Sequence, residues 1–236
     1  MRLNLLRYAM WQLRDFARDR GIALILIGLA IGTTILGPMK AMSIPFSDNS
    51  ARQILATIIS QVAFIAAFVA LNGIVSNDRK LGYYRFLFSK PVRVPAYYAQ
   101  QFVMFFVGFV AVFAVMIGLF AVLVHPVAPL APLIYSALVF LSLGGIAFLI
   151  SSLFRFDWPI LVGVFLVTNI LHSLIDDKEG FPQLLLRLLP PFQELPRMSA
   201  AINAGTVDSS RVFWLLGYSA ICFVAGLIVL RRRPFG

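Results

Sequence analysis

Six apolar runs dominate the sequence, at about residues 21–39, 53–75, 97–124, 133–153, 159–175 and 212–230. A helix needs about 20 such residues to cross the bilayer core. A backbone in lipid must satisfy its own N–H and C=O groups, and a helix does so within one segment. The runs therefore predict an all-α integral membrane protein with six transmembrane helices, one membrane domain over residues 1–236. The chain is 60% hydrophobic and only 13% charged, against about 25% charged residues in soluble domains. Short loops between six spans leave no room for a separate soluble catalytic domain.

The net charge is +10. In a soluble protein that would point to nucleic acid. Here the basic residues crowd the short loops, where Lys and Arg set topology, so nucleic acid is not an expected partner. With both termini inside, the inner segments hold 14 of the 20 Lys and Arg residues: five in Arg2–Arg20, five in 76–96, Arg155, and Arg231 to Arg233. The expectation is a multi-pass protein of the cell (inner) membrane with both termini cytoplasmic. The lone Cys222 lies in the last run and reads as a small core residue.

Arg2 to Arg20 precedes the first run. At 100° per residue Leu3, Leu5, Leu6, Ala9, Met10, Leu13, Phe16 and Ala17 share a broad face, with Arg7, Arg14 and Arg18 opposite. That is an amphipathic helix suited to the lipid interface, with Trp11 at headgroup depth. Gly37-Pro38 is expected to end the first span. The long third run should tilt or protrude. Gly144-Gly145 predicts close helix contact. Phe154 to Trp158 is a tight turn joining spans four and five, and Arg155 and Asp157 are expected to pair at its tip. Leu184–Leu189 and Pro196–Ala204 predict two short re-entrant or interfacial helices before span six.

Between the second and third runs lies a polar interruption, Ser76 to Ala96, carrying Arg79, Lys80, Arg85, Lys90 and Arg93. It is too apolar for a solvated loop and too charged for a span. A helix over Asp78–Ser89 is expected there, with Leu81, Tyr84 and Phe88 on one face. The bland alternative is a helix resting on lipid without a partner.

Within the spans, Gln61, Asn72, Asn169 and His172 are candidate path-lining residues, since polar groups at membrane depth face a cavity or the bundle interior. They equally suit interhelical hydrogen bonds. Glu194 is a candidate outer gate, against a solvated rim carboxylate. No phosphate-binding Gly-rich loop with Lys-Ser/Thr, no His-Glu-x-x-His and no Gly-x-Ser-x-Gly occurs. The chain is therefore not expected to be an enzyme, to bind ATP by that device or to hold a metal.

Asp78, Gly82, Phe86-Leu87-Phe88 and Pro91-Val92 resemble the segment after span two in permease subunits of type-2 export ABC transporters. That family carries an acidic residue, a Gly with a small hydroxyl residue, a hydrophobic helix and Pro-Val. Here Asp78 stands where Glu is usual, and Tyr83 replaces the hydroxyl residue. The layout resembles the family too, from the amphipathic helix to the two short helices before span six. The resemblance implies a half-channel that works as a dimer of permeases and exports its substrate. Two copies of a separate ABC ATPase, carrying ATP and Mg, would push on Asp78, Gly82, Tyr84, Phe88 and Pro91. Membrane lipids and a second copy of the chain are the other implied partners. The competing readings are an ion- or proton-coupled carrier, a membrane-embedded lipid-modifying enzyme, and an assembly anchor.

Overall fold

The computed structural model describes residues 2–41, 47–82, 93–154, 157–175, 189–204 and 206–232. Among them all regular structure is helical. The helices are α1 (Arg2–Phe16), α2 (Ile22–Ala41), α3 (Asp48–Leu71), α4 (Ser76–Leu81), α5 (Val94–Leu123), α6 (Leu130–Leu153), α7 (Asp157–Ile175), α8 (Glu194–Ala204) and α9 (Ser209–Arg232). Five segments are long and apolar enough to cross a membrane: Asp48–Asp78, Val94–Leu123, Leu130–Leu153, Asp157–Ile175 and Ser209–Arg232. The chain is thus a multi-pass, all-α membrane protein. The first predicted span coincides with α2, which is not among those five. Of the two short helices expected before span six, α8 covers the second, and Leu184–Leu189 lies outside the described residues except for Leu189.

Three boundaries differ from expectation. Pro38 lies inside α2 rather than ending it. Proline removes one backbone hydrogen bond, and helices at membrane depth tolerate that loss. The second apolar run stays helical only to Leu71, because Gly73 adopts φ +71°. The interruption helix stops at Leu81, because Gly82 also has φ +71° and forms a left-handed C-cap. The expected helix over Asp78–Ser89 is therefore broken at its fifth residue, and residues 83–92 lie outside the described set.

α1 and α2 join through a π-helical turn, Ala17–Gly21, in which the Ile22 N–H bonds to the Ala17 carbonyl. The wider turn shifts the helix register by a residue. Among the residues of α1 whose side chains are described, Gln12 and Phe16, one turn apart, are buried, while Met10 and Trp11 are exposed. The expected apolar face is thus divided between protein and surroundings. The exposed edge carries Arg14 and Arg18, and also Asp15 and Asp19.

The chain forms two compact units. The first comprises Met1–Ala70, Gln100–Phe140 and Ser199–Thr206. Its core is aromatic: Phe16 packs on Phe105 at 5.2 Å, and Phe109 touches Phe113 at 4.7 Å and Phe140 at 5.0 Å. Each such pair adds roughly 0.5–1.5 kcal/mol beyond its area. A Cβ on Gly108 would meet the Phe16 ring at 2.4 Å, one on Gly21 would touch Val112, and one on Gly28 would strike Met116. These contacts advance together along both segments, so the α1–α2 segment runs parallel to α5. α3 runs against them. Asp48 at its start pairs with His125 just beyond α5 at 3.3 Å, and the Arg20 guanidinium donates to the carbonyl of Ala70 near its end.

The second unit comprises Leu71–Ala99, Leu141–Met198 and Val207–Gly236. In it α6 and α9 run parallel, touching first at Gly145 and Ser219, then at Phe148 with Phe223 and Gly226. Lipid offers no hydrophobic drive for helix association, so such close approach and interhelical hydrogen bonds hold the helices together. The Ser219 hydroxyl bonds the Leu141 carbonyl and accepts from the Gly145 N–H at 3.1 Å. The close contact expected at Gly144-Gly145 is made by Gly145.

Candidate functional site

Two of the residues that the sequence singles out, Asp78 and Asp157, make their contacts at the polar interruption and the turn before it. α3 ends because Gly73 enters the left-handed region, which a glycine adopts without penalty. The chain turns through Asn72–Val75 and starts α4 at Ser76. Four polar contacts hold this turn and the short helix, all within the second unit.

The Gly73 N–H donates to Asp157 Oδ2 at 2.9 Å, and the Trp158 N–H donates to Oδ1 at 3.0 Å. Asp157 is 3% exposed. A buried carboxylate is costly unless hydrogen-bonded, and here both oxygens accept from backbone amides. It also opens α7, where the helix dipole favours negative charge. The N–H groups of Val75 and Ser76 both donate to Ser151 Oγ, at 3.1 and 3.0 Å. Ser151 is fully buried. Further along, Asp78 Oδ2 accepts from the Tyr98 hydroxyl at 3.2 Å, linking α4 to the first turns of α5. The last turn of α6, the first of α7 and the start of α5 thus hold one turn and one short helix.

Asp78 takes part in these contacts and Gly82 closes α4, while Tyr84, Phe88 and Pro91 lie outside the described residues. Arg155, the expected partner of Asp157, also lies outside them; the described partners of Asp157 are main-chain amides. Sequence reasoning missed Ser151 and Tyr98. The available signal was the pair Ser151-Ser152 closing an apolar run six residues before an acidic one.

The other candidates are distributed elsewhere. Trp11, Arg14 and Arg18 are exposed along α1 and its continuation; Arg7 lies in α1, with its side chain outside the described set. Gln61 is exposed on α3, in line with exposed Gln53 and Thr57 at four-residue spacing. Asn72 is exposed in the turn after α3. Asn169 accepts from Gln193 Nε2 at 3.2 Å and donates to the Phe165 carbonyl, so it links α7 to the turn before α8. His172 lies one turn further along α7, partly exposed. Glu194 is not a free rim carboxylate. It pairs with Arg197 at 3.0 Å and with Arg211 at 3.6 Å, and Arg211 also meets Asp208 at 3.3 Å. This ties the start of α8 to the start of α9.

Comparison of the sequence with protein-family models and with curated proteins yields no match.

Proposed function

We propose that this chain is the permease subunit of an ABC exporter. Two copies form the translocation path, and two copies of a separate ATPase supply the force. α2 provides the first of six spans, and both termini are cytoplasmic. The observation that carries this reading is the anchoring of α4. A six-residue polar helix between two long apolar helices would be idle if it merely lay on lipid. Here Asp78 is bonded to Tyr98, and the preceding turn is bonded to Asp157 and Ser151. A push on α4 is therefore passed to three long helices.

Two further observations support it. Within each unit the helix directions agree with spans that alternate in direction: α2 is parallel to α5 and antiparallel to α3, and α6 is parallel to α9. Gln53, Thr57 and Gln61 form a polar stripe on the exposed side of α3. Polar groups at that depth suit a water-filled path better than lipid. Ionisable groups within the spans commonly mark the relays of ion- and proton-driven carriers. Among the described residues the one charged side chain in the buried core is Asp157, at a helix start.

The test is purification of the tagged chain from native membranes in mild detergent, followed by photolabelling with an ATP analogue. A co-purifying polypeptide that takes the label and hydrolyses ATP is expected. A preparation that never retains a nucleotide-binding partner refutes the proposal.

A further inference from the structure

We infer that Asp157 and Ser151 are positioning residues. They clamp the turn Asn72–Val75 so that α4 and the α6–α7 corner move as one body. This rests on the permease reading for its purpose, though the clamp itself can be tested without it.

The geometry is specific. Three amides of the turn and of the helix start that follows it, those of Gly73, Val75 and Ser76, all donate to two side chains of the α6–α7 corner. Gly73, Ile74, Val75 and Ser76 are all buried. Gly73 holds φ +71°, and a Cβ there would lie 2.4 Å from the Asn77 side chain. The turn therefore has one backbone path, and its buried amides have partners only while the corner stays in place. A buried N–H that loses its partner keeps the full desolvation cost. Separating α4 from the corner would strand three of them at once. A stroke delivered to α4 therefore moves the adjoining ends of α6 and α7 with it, while Tyr98 carries α5.

The test uses the full chain with its co-purified partner in lipid nanodiscs. In a Cys222→Ser background, spin labels replace exposed Lys80 on α4 and exposed Trp158 on α7. The distance distribution between them is recorded with and without ATP. A narrow distribution that stays narrow when ATP is added is expected for the unaltered clamp. Asp157→Ala and Ser151→Ala should broaden it, raising the ratio of released to docked populations roughly tenfold. Asp157→Asn should broaden it less, because its amide oxygen still accepts from Gly73. Gly108→Ala serves as the matched control. Its Cβ would strike the Phe16 ring at 2.4 Å in the first unit, so it lowers stability away from the clamp and should leave the distribution unchanged. Should Asp157→Ala fail to assemble, Ser151→Ala reads the same clamp through the Val75 and Ser76 amides. Distributions as narrow in Asp157→Ala and Ser151→Ala as in the parent overturn the clamp, whatever ATP does. A preparation that retains no nucleotide-binding partner speaks against the permease reading, and the distributions recorded without ATP still decide the clamp.

Discussion

Replacing Gly145 by alanine should destabilise the second unit, although alanine is the better helix former by about 1 kcal/mol. The built Cβ would lie 1.9 Å from the Ser219 carbonyl oxygen and 2.4 Å from its hydroxyl. Contacts between non-bonded heavy atoms settle near ~3.5 Å, so α6 and α9 would have to part by about 1.5 Å at their crossing. The obstacle is backbone, which cannot swing aside as a flexible side chain does. Overpacking of this kind costs about 1–3 kcal/mol. Parting the helices also weakens the Gly145–Ser219 and Ser219–Leu141 hydrogen bonds, each worth about 0.6 kcal/mol between membrane helices. Balanced against the propensity gain, the expected loss is about 2 kcal/mol. In a chain of this size that lowers the melting temperature by about 4–8 °C. The assay is the fraction of monodisperse protein left after heating in detergent. Gly163→Ala is the control, because nothing lies within 4 Å of its built Cβ; it should match or exceed the parent. Equal stability of Gly145→Ala and Gly163→Ala would refute the close-crossing argument.

Gly73→Ala should cost more stability than Gly82→Ala in the same thermal assay. Both share φ +71°, a strain of about 1–2 kcal/mol, but only Gly73 has Asn77 in the way. Arg20→Lys should lower stability by about 1 kcal/mol, since lysine replaces the planar group that sits 4.4 Å from the Phe105 ring centre. Arg20→Met should cost more, because the Ala70 carbonyl then also loses its donor. Glu194→Gln should change stability by less than about 1 kcal/mol, because its arginine partners are more than half exposed and water screens the pairs. A large loss of export in that variant, with unchanged stability, would mark Glu194 as part of the outer gate.

The membrane class and the helices were legible because apolar runs of this length have few other stable states in lipid. The helix ends were less so. Gly73 and Gly82 each sit in stretches that read as continuous, and a glycine within a run does not announce whether it will turn left-handed. Pro38 misled in the opposite sense, since the proline rule is calibrated on helices in water. Gly145 was readable as a close-contact residue, whereas its partner Ser219 was not, because periodicity says nothing about which helix lies opposite. Asp157 was seen, but its described partners were not: charge pairing suggested neighbouring Arg155, which lies outside the described residues, while the amides of Gly73 and Trp158 went unread. Main-chain donors freed by a helix end leave no mark in a sequence. Ser151 was passed over for the same reason, as a small polar residue ending an apolar run.

The most direct measurement is site-specific photo-crosslinking in living cells from an unnatural amino acid at Lys80, on the exposed side of α4. A cytoplasmic polypeptide that binds ATP should be trapped there, with a yield that changes when ATP is depleted. Adducts made only with lipid, or a Lys80 position reached by membrane-impermeant reagents from outside the cell, would contradict the proposed drive.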